Sequence, residues 1–582
     1  MDKNNKNINR TNKLCPRTKR ITGYCVGFLP PCKASKRSNA LCLASFDNEA
    51  GRQKNKQEVK AFSFSGMNKT IATVLSIVLI LCAVLVSTNG TVPIVFGQIE
   101  TEIPAGRLDS EQAILDAIVA LKLFHASNGT SLAEVVEAVK SSIPDNSLDV
   151  SIKGWILNPA TDNNSGSIVG MLSVGDSTTG MSIFIPALKD ADTFSPHVKF
   201  YEDFIKSEAD WVKRLQITSA EPGLEKAIGA VPDRAGGVAG GLDGRIIPYF
   251  SEIAMTALLD TKDPAYFSTV KGYINWHFNN LNDGSTGHER DIGGTIFDYR
   301  ADGVWSPGGG HAYAYSLYDP GSNHVVGNYD SSDSYASLLI TLLNKYYELT
   351  GDTQYLIDNF VCINLVLDAL FATMNPATSL TWAKIDYKIE YMMDNGEVLE
   401  GLRSAKKLYT VLAELLQGSN DIELALGYLA KASQGYENVK SAIENHLWDS
   451  LGGYYLPYAG AAEFNWDTFY ADATCQVFSI TTGVALDYPG RAEEIWHKFN
   501  QHYSGSQTAN RWENIDIPDV YIWGSMPYAA ALVGDYDRVD RYIETYMKRF
   551  ILADTPHMFP LYSADAGQVL RAACVMLEYY SN

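Results

Sequence analysis

Apolar side chains recur along this chain at two spacings, and the change from one to the other falls near residue 195. From Tyr335 the apolar positions are Leu338, Leu339, Leu342, Leu343, Tyr346 and Tyr347, the i, i+3, i+4, i+7 pattern of a helix with one buried face. Gly351 then ends the run, as a residue tolerant of positive φ does. Patterns of this kind predict twelve helices. The first is "SPHVKFYEDFIKSEADWVKRLQ", with Ser195 as cap and Pro196 in the first turn. The others fall at 246–259, 263–281, 331–350, 353–374, 396–416, 421–448, 467–485, 490–504, 519–533, 535–550 and 564–580. Upstream, residues 109–142 hold two short helices. Three strand-like runs follow, "SLDVSIKGWIL", "GSIVGMLSVG" and "GMSIFIPAL", separated by "NPATDNNS" and "DSTT" turns. The expected organisation is a small α+β accessory domain over 105–190 and a helical domain over 195–582.

After the first, the twelve helices alternate in character. One set begins after long loops rich in acids and aromatics: "GNYDSSD", "MMDNGE", "FNWDTFYAD", "NIDIPDV", "LYSAD". The other follows tight turns such as "TGDTQ", "GSNDI", "YPG" or "GD" and is richer in Lys, Arg, Glu and Asn. Six such pairs suggest two concentric rings, the inner helices having their N-termini at one mouth. Short β-like insertions fall between pairs, at 293–305 and 446–458. With "YDSSDSYASLL", "YMMDNGEVLEGL" and "LWDSLGGYYL" in this order, the region 195–582 resembles the six-hairpin glycosidases. That resemblance implies a mainly α (α/α)6 barrel behind the small α+β domain. It also implies a sugar-active enzyme with catalytic carboxylates in the mouth loops, no cofactor and a carbohydrate substrate.

Cleaving a glycosidic bond needs one carboxyl group to protonate the leaving oxygen and another to activate water or attack the anomeric carbon. A separation of about 6.5–9.5 Å suits inversion and about 5–5.5 Å a covalent route. The acids at the helix lead-ins are Asp330, Asp333, Asp394, Glu397, Asp467, Asp472, Glu513, Asp516, Asp519 and Asp565. Each has a structural alternative. Asp330 with Asp333, and Asp394 with Glu397, have capping-box-like spacing. Asp333 ranks first, because Asp330 or Ser331 can start the helix and leave Asp333 free to face a cleft. Asp394 and Glu397 come next, with Asp472 in reserve. Sugar faces stack on aromatic rings, so Tyr329, Trp305, Trp382, Trp466, Trp512 and Trp523 are the expected substrate contacts. Trp211, Trp276 and Trp496 lie mid-helix and are expected in the core.

Charge and cysteine usage narrow the setting. Residues 1–66 carry 14 Lys and Arg against 4 Asp and Glu, a net of +10 within a chain of −20, which leaves −30 for residues 67–582. So acidic a body argues against nucleic acid as a partner. Residues 70–99 contain no charged side chain. Read from Met67, they have the basic start, apolar core and small-residue exit of a secretory signal over 67–97. If the basic extension over 1–66 is translated, residues 70–88 become a membrane anchor instead. Both readings put the catalytic domain outside the cytoplasm. Cys362, Cys475 and Cys574 lack paired spacing and read as apolar filler, and no histidine pair has metal-ligand spacing. The glycines of "GGVAGGLDG" (236–244) read as a loop. The main expectation is an inverting glycoside hydrolase. Two rivals stand beside it: a sugar epimerase or polysaccharide lyase on the same barrel, and a non-catalytic glycan-binding surface protein.

Overall fold

A computed structural model of the protein describes residues 105–582, apart from 145–146, 192, 219–221, 235–242, 306–310, 319–326, 505–510 and 554–555. The basic extension and the signal or anchor segment lie outside the described residues. Among the described residues, no helix is long and apolar enough to cross a membrane.

Two helices, α1 (Ala105–Lys122) and α2 (Leu132–Ser142), precede an antiparallel meander of β1 (Val150–Asn158), β2 (Gly166–Val174) and β3 (Ser177–Ile185). Ser131 starts α2 through a full capping box with Glu134. Along β3, burial alternates towards Met181, Ile183 and Ile185. These residues join Ile168, Leu172, Val135 and Val139 in a core separate from that of the helical domain.

The helical domain begins with α3 (Pro196–Leu215), the strand β4 (Asp243–Ile246), α4 (Pro248–Asp260) and α5 (Phe267–Asn279). After β5 (Tyr299–Trp305) and β6 (His311–Leu317) come α6 (Ser332–Thr350), the short α7 (Thr353–Asp358) and α8 (Phe360–Ala372). Then follow α9 (Met392–Leu415), α10 (Ile422–His446), the two-residue strands β7 (Trp448–Asp449) and β8 (Tyr454–Tyr455), α11 (Thr474–Thr481) and α12 (Arg491–Tyr503). The last three are α13 (Ser525–Leu532), α14 (Tyr536–Tyr546) and α15 (Ser563–Ser581).

Six of these helices form a closed ring. Helix α4 packs on α6, α6 on α9, α9 on α11, α11 on α13, α13 on α15, and α15 returns to α4. Helices α3, α5, α8, α10, α12 and α14 lie outside them, each against one or two ring members. This is an (α/α)6 barrel, and the alternating character of the sequence is its cause. An inner helix is surrounded, so α6 buries every residue from Ser332 to Asn344 and α11 buries all eight of its residues. An outer helix faces solvent, so α12 buries only the stripe Ala492, Ile495, Trp496, Phe499 and Tyr503. Glycine permits the tightest approach in the ring. A Cβ at Gly401 of α9 would sit 2.7 Å from Cα of Ser337 on α6.

Several boundaries differ from the sequence reading. Helix α9 starts at Met392, four residues earlier than expected, because Gly396 is not a loop residue. A Cβ there would come within 2.8 Å of Thr482 Oγ1, so this glycine lets the helix pass close to its neighbour. Helices α11 and α13 start later than expected. Residues 469–473 form a wider turn in which Phe469 is buried against Tyr503 and Trp523. The expected helix over 353–374 is broken at Asn359 into α7 and α8.

Candidate active site

Contacts link the starts of all six inner helices. Ser331 of the α6 lead-in reaches Asp394 of α9. Tyr249 of α4 donates to Glu397 Oε1 at 2.7 Å, and Phe250 packs on Tyr562 before α15. Gly524 at the start of α13 donates its N–H to Asp565 Oδ1 of α15 at 3.0 Å. Tyr470, ahead of α11, lies against Trp523, ahead of α13, with ring centroids 5.7 Å apart.

Asp333 is fully buried and therefore not free to face the cleft, contrary to the sequence reading. Its Oδ1 accepts from Ser331 Oγ (2.7 Å) and Ser334 N–H (2.9 Å), and its Oδ2 from Thr381 Oγ1 (2.7 Å). The expected capping boxes are also absent. Ser331 is the N-cap of α6, yet its hydroxyl turns to the two aspartates rather than to a helix amide. Asp394 and Glu397 both lie inside α9.

Asp394 is half-buried, and its Oδ2 is 3.3 Å from Ser331 Oγ. One hydroxyl proton cannot serve two carboxylates. With three donors Asp333 is the better-stabilised anion, so the contact to Asp394 is satisfied when Asp394 carries a proton and donates it to Ser331 Oγ. Burial, then the charges of Asp333, Glu397 and Asp330, hold the Asp394 carboxyl well above the ordinary carboxylate range. Burial also pushes Asp333 up to about 7 against its donors. Glu397 is pushed up to about 8, again by burial first. Asp330 is exposed at the rim. Its N–H donates to Tyr335 Oη, and its charge acts on both Asp394 and Tyr470.

The remaining acids separate from this group. Asp472 accepts the Asn465 N–H at 2.8 Å and holds the 465–472 loop; it makes no contact with Asp333, Asp394 or Glu397 among the described hydrogen bonds. Asp467 is exposed beside His502, Glu513 is buried with Arg511 and Ser504, and Asp516 is exposed. Asp565 caps Gly524, with burial pushing it up to about 7. Asp519 accepts from Trp523 Nε1 at 2.8 Å.

Two of the expected aromatic contacts are overturned by burial. Tyr329 is sealed against Phe297, with its hydroxyl donating to the Arg290 carbonyl. Trp512 is wholly buried and donates to Asn500 Oδ1. Trp466 is half-buried and stacks on His502 beside Asp467. Trp382 has Lys388 Nζ 4.4 Å from its ring centre. The side chain of Trp305 lies outside the described residues. Trp523 belongs to the mouth, and Tyr470, 41% exposed beside it, is an aromatic that the sequence did not single out. With 33 tyrosines in the chain, nothing in the sequence distinguishes that one. Trp211, Trp276 and Trp496 are in the core.

His557 is buried, bonded to Glu208 and stacked on Trp211. His311's side chain, His324 and residues 236–242 of the glycine-rich loop lie outside the described residues. Among the described residues no group of three or more His, Cys, Asp or Glu could hold a metal ion.

No family model matches the chain, and no curated protein does. Several solved structures resemble it. A structure described as "Glycosidase Wild Type" has 10% identity and a TM-score of 0.42, covering 67% of this chain and 98% of its own. A rhamnosidase from Klebsiella oxytoca with rhamnose bound has 15% identity and a TM-score of 0.40, covering 70% of this chain and 69% of its own. An inactive variant of alpha-1,6-mannanase, GH76A of Salegentibacter sp. HEL1_6, in complex with alpha-1,6-mannotetrose, has 9% identity and a TM-score of 0.37, covering 65% of this chain and 99% of its own. The closed ring of six inner helices is established by the packing of this chain itself.

Proposed function

We propose that this protein is a glycoside hydrolase whose general acid is Asp394. The observation that carries this reading is the hydroxyl of Ser331 placed between two carboxyl groups from neighbouring inner helices, one sealed and one half-buried. A carboxylic acid that holds its proton more tightly than usual can deliver it to a departing glycosidic oxygen. Asp330, exposed at the rim, is the carboxylate that activates the attacking water. Asp333 acts on the substrate only through Ser331, as a positioning residue. Tyr470 and Trp523 offer a sugar ring two aromatic faces beside the acid.

The proposed course is inverting, without a cofactor. A tyrosine-based lyase or epimerase reading is not favoured, because burial and the charges of Asp394 and Asp330 push the Tyr470 phenol up, making it a poor base. The segment over 67–97 supports export, with the barrel outside the cytoplasm as a secreted or membrane-anchored enzyme.

The test incubates residues 98–582 with a panel of α- and β-linked oligosaccharides, reading new reducing ends and following the first product anomer by NMR. Hydrolysis that disappears in Asp394→Asn and Asp330→Asn supports the assignment. Hydrolysis undiminished in Asp394→Asn removes Asp394 from the role, and binding without hydrolysis across the panel would favour a glycan-binding protein.

A further inference from the structure

Glu397, which the sequence reading placed among the catalytic acids, is buried, accepts from Tyr249 and also lines a second space inside the barrel. Beyond it, along the barrel axis, lies a hollow with about 20 Å³ of space for water, walled by Thr256, Thr341, Glu397, Glu400, Gln568 and Arg571, among others. Two polar atoms of this wall, Thr341 Oγ1 and Gln568 Oε1, have no protein partner, and each belongs to a residue only 9% exposed. Buried atoms without partners recur on the inner ring: Glu252 Oε2 on α4, Thr474 Oγ1 on α11, Ser525 Oγ on α13 and Ser563 Oγ on α15.

A buried polar atom left unbonded costs about 1–3 kcal/mol, and an apolar residue of similar shape would avoid that cost. An ordered water needs about 10–15 Å³ and two to four polar partners. The hollow supplies both. We propose that it is a built water site, in which one ordered water bonds Thr341 Oγ1 and Gln568 Oε1 and hydrates the Glu397 carboxyl from behind. Glu397 is then a positioning residue, held by Tyr249 and Ser334 on one side and by the water on the other, and its carboxyl forms part of the surroundings of Asp394. The groups facing Glu397 are Ser334 and Asp333 from α6, Tyr249 and Glu252 from α4, Asp394 and Glu400 from its own helix, and Arg571 across the hollow. The role given to Glu397 rests on the proposed glycosidase reading; the water site itself does not.

A crystal structure at a resolution that shows ordered water tests the site directly. The expected result is a water bonded to Thr341 and Gln568, lost in the double variant Thr341→Val with Gln568→Leu. An empty hollow in the wild type, or one closed by a side chain, overturns the proposal. Infrared spectroscopy provides a readout independent of activity, with the Glu397 carboxyl band assigned by its loss in Glu397→Gln. Removing the water should raise the pH midpoint of that band by about one unit, since the carboxylate loses a donor. An unchanged midpoint in a folded double variant overturns hydration of Glu397. Failure to find any hydrolysed glycan would count against the glycosidase reading and leave both of these measurements decisive.

Discussion

Replacing Gly401 with alanine should push apart the two helices that carry the candidate site. The new Cβ would lie 2.7 Å from both Cα and Cβ of Ser337 and 2.9 Å from its carbonyl oxygen. Carbon atoms prefer about 3.5–4.0 Å, so α9 and α6 must separate locally by most of an ångström. The atoms met are largely backbone, which cannot rotate away. Such overpacking costs about 1–3 kcal/mol, against a gain of about 1 kcal/mol from replacing a helical glycine. A net loss of up to about 2 kcal/mol is expected. The 3.3 Å contact between Ser331 Oγ and Asp394 would open as the helices part, so hydrolysis should also fall. Gly427 on the exposed side of α10, with nothing near its missing Cβ, is the control. There alanine should stabilise by about 1 kcal/mol. Urea unfolding followed by tryptophan fluorescence should therefore move the two midpoints in opposite directions. If both rise together, the close approach of α6 and α9 is not real and the proposed bridge between their acids loses its basis.

Four other outcomes are expected. Asp394→Asn should retain the fold by circular dichroism while reducing hydrolysis by about 10² or more. Stability should fall as pH rises from about 4 to about 8. Asp333 and Asp565, raised to about 7, and Glu397, raised to about 8, bind protons more tightly folded than unfolded, so their contribution is complete below the ordinary carboxylate range and lost through the folded values. Melting temperatures at pH 5 and pH 8 check the sign, and a higher value at pH 8 would contradict it. Trp512→Ala should cost about 3–5 kcal/mol by emptying a buried site. Trp523→Ala should cost less in stability and more in sugar affinity, as read by unfolding and by titration calorimetry with a hydrolysed glycan and an Asp394→Asn background.

The helices were legible because burial follows period: one apolar stripe on the outer helices, near-continuous burial on the inner ones. Helix starts were less legible wherever tertiary contacts replaced local signals. Tyr391, the N-cap of α9, makes no side-chain capping bond, and Gly396 reads locally as a loop residue although it marks a close crossing. The same blindness affected the acids. Asp330, Asp333, Asp394 and Glu397 were visible as a group, but their exposure depends on how α9 crosses α6. Spacing made Asp333 the free group, whereas Thr381, remote in sequence, helps to seal it in. Tyr329 and Trp512 stand beside polar loop residues and nevertheless point into the core.

The return of α15 to α4 has a consequence for biosynthesis. The partners that complete the ring are separated by some three hundred residues, so the first inner helix leaves the ribosome long before its final neighbour has been translated. Until α15 emerges, α4 and α13 each present an apolar flank that the finished barrel covers. Long-range closure of this kind is slow and leaves nascent intermediates open to aggregation. Production of the protein should therefore depend on chaperone supply, and chains stopped before Ser563 should be recovered as insoluble material rather than as a smaller folded barrel.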